Sequence, residues 1–270
     1  MRTVVHLSDL HFGRIDPPIL PPLISFIAAA KPDLVAISGD LTQRARTAEY
    51  IAARNFLDAI PFPQIVVPGN HDVPLHNLFS RFVRSLDGYR RYISDDLQPF
   101  YLDDEMAVAG VNTARGLTWK DGRINARQLA ELRRRFENVP NDRTKIVVTH
   151  HPFDLPAGAE GCVVGRSRLA IRTLADCRVD MLLAGHFHIA DTGYTAKRYN
   201  IPGFAALIVS SGTSTSTRGR GEPNSLNLIQ IERASVSIER RTWRRDSGVF
   251  DVLSIEQFHR DTSGWRRETE

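Results

Sequence analysis

Short apolar runs alternate with amphipathic stretches through the first two thirds of the chain. Runs rich in β-branched and aliphatic residues, bounded by turn residues, predict strands at Thr3–Leu7, Leu34–Ser38, Gln64–Val67, Ala107–Val111, Lys145–Thr149 and Met181–Ala184. Longer stretches in which apolar residues recur every three or four positions predict helices at Pro22–Ala30, Thr47–Ile60, Asn77–Leu86, Ala126–Phe136 and Ser167–Ala175. Strands that alternate with helices indicate an α/β fold with a partly parallel sheet.

The last third of the chain has a different pattern, in which strands follow one another without helices. They are predicted at Gly193–Asn200, Ala206–Ser210, Leu226–Glu232, Ser235–Thr242 and Gly248–Leu253. Consecutive strands pair antiparallel, so the whole is expected to be a mixed-sheet α/β domain over residues 1–260. The strands from about residue 191 onwards are expected to complete a second sheet, and residues 261–270 to form a frayed tail. The polar segment Gly212–Gly221 has the composition of a flexible connector.

Composition and charge exclude several classes of protein. The 270 residues are 42% hydrophobic and 24% charged, which is incompatible with intrinsic disorder, collagen or a coiled coil. The 35 basic and 31 acidic residues give a net charge of +4. The basic residues, mostly arginine, form no long run, so a nucleic-acid partner is not indicated.

The cysteine content and the apolar stretches bear on location. The two cysteines, Cys162 and Cys177, are too few for a disulfide framework and indicate a reducing compartment. The longest apolar stretch, Ile19–Ala30, is interrupted by prolines and is shorter than the ~20 residues that span a bilayer. The first five residues lead directly into a predicted strand and leave no room for a signal peptide. We expect a cytoplasmic protein without a membrane segment.

Six of the nine histidines lie in short clusters beside glycines and acids, each at or just after the end of a predicted strand. The clusters are Asp9-Leu10-His11, Gly39-Asp40, Gly69-Asn70-His71-Asp72, His150-His151 and Gly185-His186-Phe187-His188. Ligands of open α/β sheets gather outside the carboxyl ends of strands. In an extended chain residues i and i+2 point the same way, so Asp9 and His11 can face one ion, as can His186 and His188.

The residue types in these clusters indicate a metal site. Carboxylates, imidazoles and one amide, without a thiolate, suit ions such as Mn²⁺, Fe²⁺ or Zn²⁺ and differ from a structural zinc site. Seven candidate ligands exceed the needs of one ion and fit two ions ~3.5–4 Å apart. The glycines at 39, 69 and 185 are expected to let the backbone approach an ion or a phosphate. Asp-x-His, Gly-Asp and His-His are weak signals alone, whereas Gly-Asn-His-Asp is more specific and Gly-His-x-His moderately so. The occurrence of all five in order is a strong signal.

The clusters together resemble the motifs of the calcineurin-like metallophosphoesterases. That family carries Asp-x-His, Gly-Asp, Gly-Asn-His-Asp or Glu, a later His, and Gly-His-x-His, and every block is intact between Asp9 and His188. The form of the blocks at Gly39–Thr42 and His150–Pro152 is most similar to bacterial class III cyclic nucleotide phosphodiesterases. The Gly-Asp-x-x-Asp-Arg-Gly block of Ser/Thr protein phosphatases is missing. The resemblance implies a four-layer αββα sandwich, in which two mixed β-sheets are flanked by helices.

The resemblance also implies a role for each residue. Asp9, His11 and His188 would hold one divalent ion, Asn70, His150 and His186 a second, Asp40 would bridge them, and His71 would contact the phosphoryl group and protonate the leaving alkoxide. The implied activity is dinuclear metal-dependent hydrolysis of small phosphodiesters, with cyclic nucleotides such as cAMP as the favoured class, by attack of a metal-bridging hydroxide. A competing interpretation of His71 is that it packs its loop, with the imidazole satisfied by Asp72.

Three further residues are weaker candidates for substrate contacts, in addition to Asn70 and His71. His151 could contact substrate or pack, Asn112 could line the pocket or belong to an ordinary loop, and Arg218 could reach an anionic substrate or be solvated. The same two alternatives, contact with an anionic substrate or solvation, apply to Arg220. The isolated histidines His6, His76 and His259 are expected to be structural or surface residues.

Several alternatives remain open at this point. A glycerophosphodiesterase, a nucleotide pyrophosphatase or a phosphomonoesterase would use the same metal motifs, because pocket loops select the substrate. A nuclease would need a basic groove that the sequence does not indicate, and a non-catalytic scaffold would be expected to have lost metal ligands. An exposed C-terminal edge strand is compatible with a homodimer.

Overall fold

The computed structural model describes residues 1–74, 81, 84–118, 120–218, 221–261 and 264–268. The helix predicted at Asn77–Leu86 lies largely outside these residues, and His76 and Arg220 lie outside them entirely. No helix in this part of the chain is both long and apolar enough to cross a bilayer.

The first sheet combines the beginning and the end of the chain. Its strands are β1 (Arg2–Leu7), β2 (Leu34–Ile37), β3 (Gln64–Val66), β10 (Ser225–Ile231), β11 (Ser235–Arg244), β12 (Val249–Asp261) and β13 (Gly264–Arg267), in the order β13-β12-β11-β10-β1-β2-β3. Strands β1, β2 and β3 are parallel, and the remaining pairs are antiparallel.

The second sheet is built from the middle of the chain. Its strands are β4 (Phe100–Leu102), β5 (Met106–Gly110), β6 (Thr144–Val148), β7 (Met181–Ala184), β8 (Asp191–Tyr194) and β9 (Leu207–Ser210), in the order β4-β5-β6-β7-β9-β8. The four central strands are parallel, and the two edge strands pair antiparallel.

Helices cover the outer face of each sheet. They are α1 (Leu20–Ala30), α2 (Thr47–Asp58), α3 (Asp87–Tyr92), α4 (Ala126–Glu137), α5 (Ser167–Asp176) and the short α6 (Thr195–Arg198). Apolar residues of β1 and β2 pack against α1 and α2 in one core cluster, and those of β5, β6 and β7 pack against α4 and α5 in another. A third cluster, including Val4, Ile146 and Leu183, joins the two sheets face to face. The predicted αββα sandwich is confirmed.

The C-terminal strands are distributed differently from the prediction. Only β8 and β9 join the second sheet, whereas β10 to β13 extend the first, because β10 pairs antiparallel with β1 from Arg2↔Ile231 to His6↔Asn227. The alternation of apolar and polar residues identifies a strand, and it does not identify the edge to which the strand adds.

Two local predictions at the C-terminal end are wrong. The strand predicted at Gly193–Asn200 ends at Tyr194, and helix α6 begins at Thr195. The tail predicted to fray contains β13, which pairs with the end of β12. Trp265 of β13 is buried, and its indole Nε1 donates to Asp180 Oδ1 at 3.2 Å. This buried aromatic side chain and its hydrogen bond anchor the segment.

Candidate metal centre

The polar clusters follow strands that end at one edge of the sandwich. Those of the first sheet follow the adjacent parallel strands β1, β2 and β3, and those of the second follow the adjacent parallel strands β6 and β7. The structure brings together eight of the predicted residues: Asp9, His11, Asp40, Asn70, His71, His150, His186 and His188. They form two groups that share one carboxylate.

The first group consists of Asp9, His11 and His188, all of them buried. Asp9 Oδ1 lies 3.6 Å from His11 Nε2 and 3.2 Å from His188 Nε2. The two Nε2 atoms are 3.2 Å apart. One carboxylate oxygen and two imidazole nitrogens therefore converge on one point.

The second group consists of Asn70, His150 and His186. Asn70 Oδ1 lies 3.1 Å from His150 Nε2 and 3.1 Å from His186 Nδ1. The two imidazole nitrogens are 3.3 Å apart. This group repeats the geometry of the first, with an amide oxygen in place of the carboxylate oxygen.

Asp40 lies between the two groups and is only 2% exposed. Its Oδ2 is 3.7 Å from His11 Nε2, and its Oδ1 is 3.4 Å from His150 Nε2. The backbone amide of His71 also donates to Oδ1 at 2.8 Å. Each oxygen of this carboxylate thus faces a different group.

The surrounding residues orient the donor atoms toward the two convergence points. Ser8 Oγ and the backbone amide of His186 donate to Asp9 Oδ2, while Asp9 Oδ1 is buried without a hydrogen-bond partner in the described chain. His150 Nδ1 donates to Ser38 O at 2.8 Å, and His188 Nδ1 donates to Arg218 O at 3.2 Å. Fixing Nδ1 in this way leaves the Nε2 lone pairs for a metal ion.

The charge states also suit a metal. Burial alone raises the pKa of Asp9, but the charge of His188 and the contact with His11 outweigh it, so the pKa is well below its usual range. Burial also raises the pKa of Asp40, but the nearby His150 lowers it by more, so the pKa of Asp40 is below its usual value. Burial, followed by His150, lowers the pKa of His186 to about 3. Burial lowers the pKa of His188, but Asp9 outweighs it and raises the pKa, so a cation bound there would displace the proton on His188 Nε2. Two ionised carboxylates and a neutral His186 are the forms that bind divalent cations, so the donor set fits such ions.

The backbone at these residues is not extended, contrary to the expectation that residues i and i+2 share a side through the strand pleat. Asp9, His11, Asp40, His186 and His188 have φ values of 52°, 51°, 50°, 78° and 61°. This left-handed region is uncommon for residues other than glycine and costs of the order of 1–3 kcal/mol per residue. Tight turns after the strands, rather than the pleat, aim the side chains at the site.

Gly69 makes room for another ligand residue rather than for an ion or a phosphate. A Cβ at this position would lie 2.1 Å from Asp40 Oδ1 and 2.4 Å from the Asp40 backbone nitrogen. Gly39 and Gly185 stand in the same relation to His150 and to Ser8. The close backbone approach predicted at these glycines is present, but the group approached is a residue of a neighbouring loop rather than an ion or a phosphate.

We expect Gly69→Ala to destabilise the protein by about 1–3 kcal/mol, the usual cost of forcing a methyl group into a packed site, and to weaken metal binding by displacing Asp40. Gly193→Ala is the matched control, because nothing lies within 4 Å of a Cβ there. Urea unfolding of the metal-free variants measures the first effect and calorimetric metal titration the second. Equal behaviour of the two variants would contradict this account of Gly69.

His71 lies at the rim of the site. Its Nδ1 donates to Gln43 O at 2.8 Å, and its Nε2 accepts a hydrogen bond from Arg218 Nη1 at 3.0 Å. Burial lowers the pKa of His71, which the nearby Asp40 partly counters. Since Asp72 does not contact the imidazole in the described structure, the interpretation that Asp72 satisfies His71 is wrong.

Asp72 instead holds two ligand loops together. Its buried carboxylate accepts hydrogen bonds from the backbone amides of Leu41, Thr42 and Gly69, and from Thr42 Oγ1. Burial and the neighbouring Asp40 raise the pKa of Asp72 to about 6. This residue is part of the Gly-Asn-His-Asp motif, but nothing in the sequence shows that two of its partners, Leu41 and Thr42, lie 31 and 30 residues earlier.

The segment Gly212–Arg218 is not the flexible connector that its composition predicts. Thr213 Oγ1 donates to Asp9 O at 2.7 Å, Thr215 Oγ1 donates to Leu10 O at 2.6 Å, and Ser214 Oγ accepts from the Ser8 amide at 3.1 Å. Residues 213–216 are buried. The hydroxyl groups fix this segment against the first ligand loop, and it carries Arg218 to His71.

Two of the weaker candidates have other hydrogen-bond partners. His151 is 1% exposed, its Nδ1 bonds to Thr113 Oγ1 at 2.8 Å, and its Nε2 bonds to Lys120 O at 2.8 Å. Both ring nitrogens therefore have partners, and the ring packs beside that of His186 at 4.6 Å, centre to centre. Asn112 belongs to the loop after β5 and lines a cavity of about 510 Å³. Its side-chain oxygen accepts a hydrogen bond from the Ala114 amide at 2.8 Å.

Comparison with known proteins places this geometry in a family. Residues 2–190 match the model of the calcineurin-like phosphoesterase family. The glycerophosphodiester phosphodiesterase GpdQ of Enterobacter lignolyticus is 32% identical over 135 residues, which cover 47% of this chain and 44% of that protein. A probable cyclic nucleotide phosphodiesterase of a Synechococcus species is 27% identical over 141 residues, or 45% and 52% of the two chains. The chain thus spans about half the length of these curated relatives.

The fold is similar to that of a solved phosphatase structure. The purple acid phosphatase PPD1 from yellow lupin (Lupinus luteus) superimposes with a TM-score of 0.71 over 96% of this chain and 54% of that one. The two sequences are 14% identical, so this likeness concerns the fold alone. The match over residues 2–190 covers all five polar clusters, and the chain belongs to the calcineurin-like phosphoesterase family.

Proposed function

We propose that this chain is a metal-dependent phosphodiesterase that acts on small phosphodiesters. The observation that carries the proposal is the placement of Asp40, whose two carboxylate oxygens face two separate groups of three ligand residues. In this proposal Asp9, His11 and His188 hold one divalent ion, Asn70, His150 and His186 hold the other, and Asp40 bridges them. Bound there, the two ions would supply Lewis acidity to the phosphoryl oxygens and lower the pKa of water.

The residues at the rim are proposed to bind and orient the substrate. Arg218 presents a guanidinium group beside His71, and guanidinium groups bind phosphoryl oxygens through paired, charge-assisted hydrogen bonds. The buried segment behind Arg218 keeps this group at the entrance, which lowers the entropic cost of binding. His71 contributes the second contact to the phosphoryl group.

The proposed protonation of the leaving alkoxide by His71 places a condition on Arg218. His71 Nδ1 donates to a carbonyl and Nε2 accepts from Arg218, so Nε2 carries no proton in this arrangement. We infer that a phosphoryl oxygen competes for the guanidinium group of Arg218. Release of Nε2 would then allow His71 to take up the proton that the leaving oxygen needs.

A hydrolysis screen of the purified protein tests the proposal. The chain would be stripped with a chelator, reloaded with Mn²⁺, and assayed with bis(p-nitrophenyl) phosphate, p-nitrophenyl phosphate, cAMP, glycerophosphocholine and a nucleotide pyrophosphate. We expect diester hydrolysis that disappears on chelation and returns on reloading. A reloaded protein that hydrolyses no diester would overturn the proposal, and preferential monoester hydrolysis would replace it with a phosphomonoesterase.

The substrate class is the finer part of the proposal. Cyclic nucleotides remain the prediction from the form of the motifs, and the similarity to a glycerophosphodiester phosphodiesterase favours including that second class. The cAMP and glycerophosphocholine arms of the screen separate the two. The homodimer and the cytoplasmic location stay predictions, testable by light scattering and by cell fractionation.

A further inference from the structure

Three arginines lie together beside the loop that packs on His151. Arg115 Nε donates to the Arg123 carbonyl at 3.3 Å, and Arg123 forms a parallel bridge with Gly165, the residue before Arg166. None of the three guanidinium groups lies within 4.0 Å of a carboxylate in the described part of the chain. Burial, and then the like charges of Arg123 and Arg166, lower the pKa of Arg115.

The positive charge continues into the adjoining cavity. Arg115 lines the cavity of about 510 Å³ together with Arg84, Arg90 and Asn112. Asp87 is the single acidic residue among the described residues of this lining, and its carboxylate lies 3.9 Å from Arg84 Nε. One weakly paired acid leaves the wall of the cavity with an excess of positive charge, which concentrates anions at a concave surface.

The arginine cluster lies on the side of the second ligand group. The Arg123 amide donates to Thr113 O at 2.9 Å, and Thr113 Oγ1 bonds to His151 Nδ1 at 2.8 Å. The His151 ring is in turn 4.6 Å from the His186 ring, centre to centre. Thr113 and His151 thus link the backbone of Arg123 to a proposed metal ligand, which places the cluster on the same side of the site as the second ligand group.

We propose that Arg115, Arg123 and Arg166 form a subsite for a second phosphoryl group of the substrate. This inference rests on the proposed phosphodiesterase function and narrows it. Cyclic nucleotides and glycerophosphodiesters carry one phosphoryl group, which the metal centre would occupy. The subsite instead favours nucleotide diesters with an additional terminal phosphate, because a dianionic phosphate can accept hydrogen bonds from several guanidinium groups.

The matched substrates pApA and ApA test the subsite, since they share the diester and differ only in the 5′-phosphate. We expect the wild-type KM to be roughly tenfold lower for pApA than for ApA, in line with a charged hydrogen bond to phosphate. Arg123→Gln with Arg166→Gln, both exposed side chains, should remove this difference and leave kcat and the KM for ApA unchanged. The control pair Arg127→Gln with Arg172→Gln, also exposed, lowers the net charge equally and should retain the difference.

Two results would overturn the subsite. One is an equal wild-type KM for pApA and ApA, and the other is the same change in both double variants, which would indicate a general effect of net charge. Binding of pApA and ApA to the metal-free protein by calorimetry gives a second readout. If the wild-type protein hydrolyses no diester, the proposed function fails, and the calorimetric comparison still decides whether the arginines bind the additional phosphate.

Discussion

Asp40→Asn should reduce kcat/KM for bis(p-nitrophenyl) phosphate by roughly a thousandfold or more, because a loss of several kcal/mol of metal-derived stabilisation has that size. The substitution keeps the volume of the side chain and an oxygen that can accept from the His71 amide. It removes a negative charge that faces both His11 and His150. Metal content by elemental analysis should fall together with the activity.

The control for this variant is Asp176→Asn, at an exposed carboxylate near the end of α5. It also removes one negative charge, and it should leave activity and metal content unchanged. Circular dichroism and thermal unfolding of the metal-free proteins establish that both variants fold. If Asp40→Asn retained both full metal content and full activity, the bridging role of Asp40 would be wrong.

His71→Ala should retain its metal ions and lose activity in a manner that depends on the leaving group. Loss of a general acid typically costs 10²–10⁴-fold in rate. We expect a loss of about a hundredfold or more in kcat for ApA, whose alkoxide leaving group needs a proton. The loss should be much smaller for bis(p-nitrophenyl) phosphate, because p-nitrophenolate leaves without protonation.

His259→Ala is the control for this variant, since His259 lies exposed on β12. It should match the wild type with both substrates. An equal loss of kcat with both substrates in His71→Ala would assign His71 to phosphoryl binding alone. A loss of metal ions would place it among the ligands instead.

The sequence predicts the central strands closely, since their residues are buried on both faces and read as uninterrupted apolar runs. Strand β7 has the predicted bounds Met181–Ala184, and β1 begins one residue before the prediction, at Arg2. The pairing of β10 with β1 joins residues more than 200 positions apart. No local pattern contains that information, so the assignment of the last strands to a sheet could not be predicted.

The metal-centre residues could be identified because their types and order carry the chemistry. Their conformations could not, since the left-handed turns at Asp9 and His188 are imposed by packing from other elements. The Ser/Thr segment shows the same limit. Its polar composition is typical of a solvated loop. Thr213 and Thr215 are nevertheless buried, and their hydroxyl groups donate hydrogen bonds to backbone carbonyls of the first ligand loop.

The central claim, that two ions share Asp40, is tested most directly by the metal stoichiometry of the wild-type chain. The protein would be stripped of metal, dialysed to equilibrium against Mn²⁺, and measured by elemental analysis against protein concentration. The account predicts two ions per chain, as a dinuclear site requires. One ion per chain, or none, would contradict it.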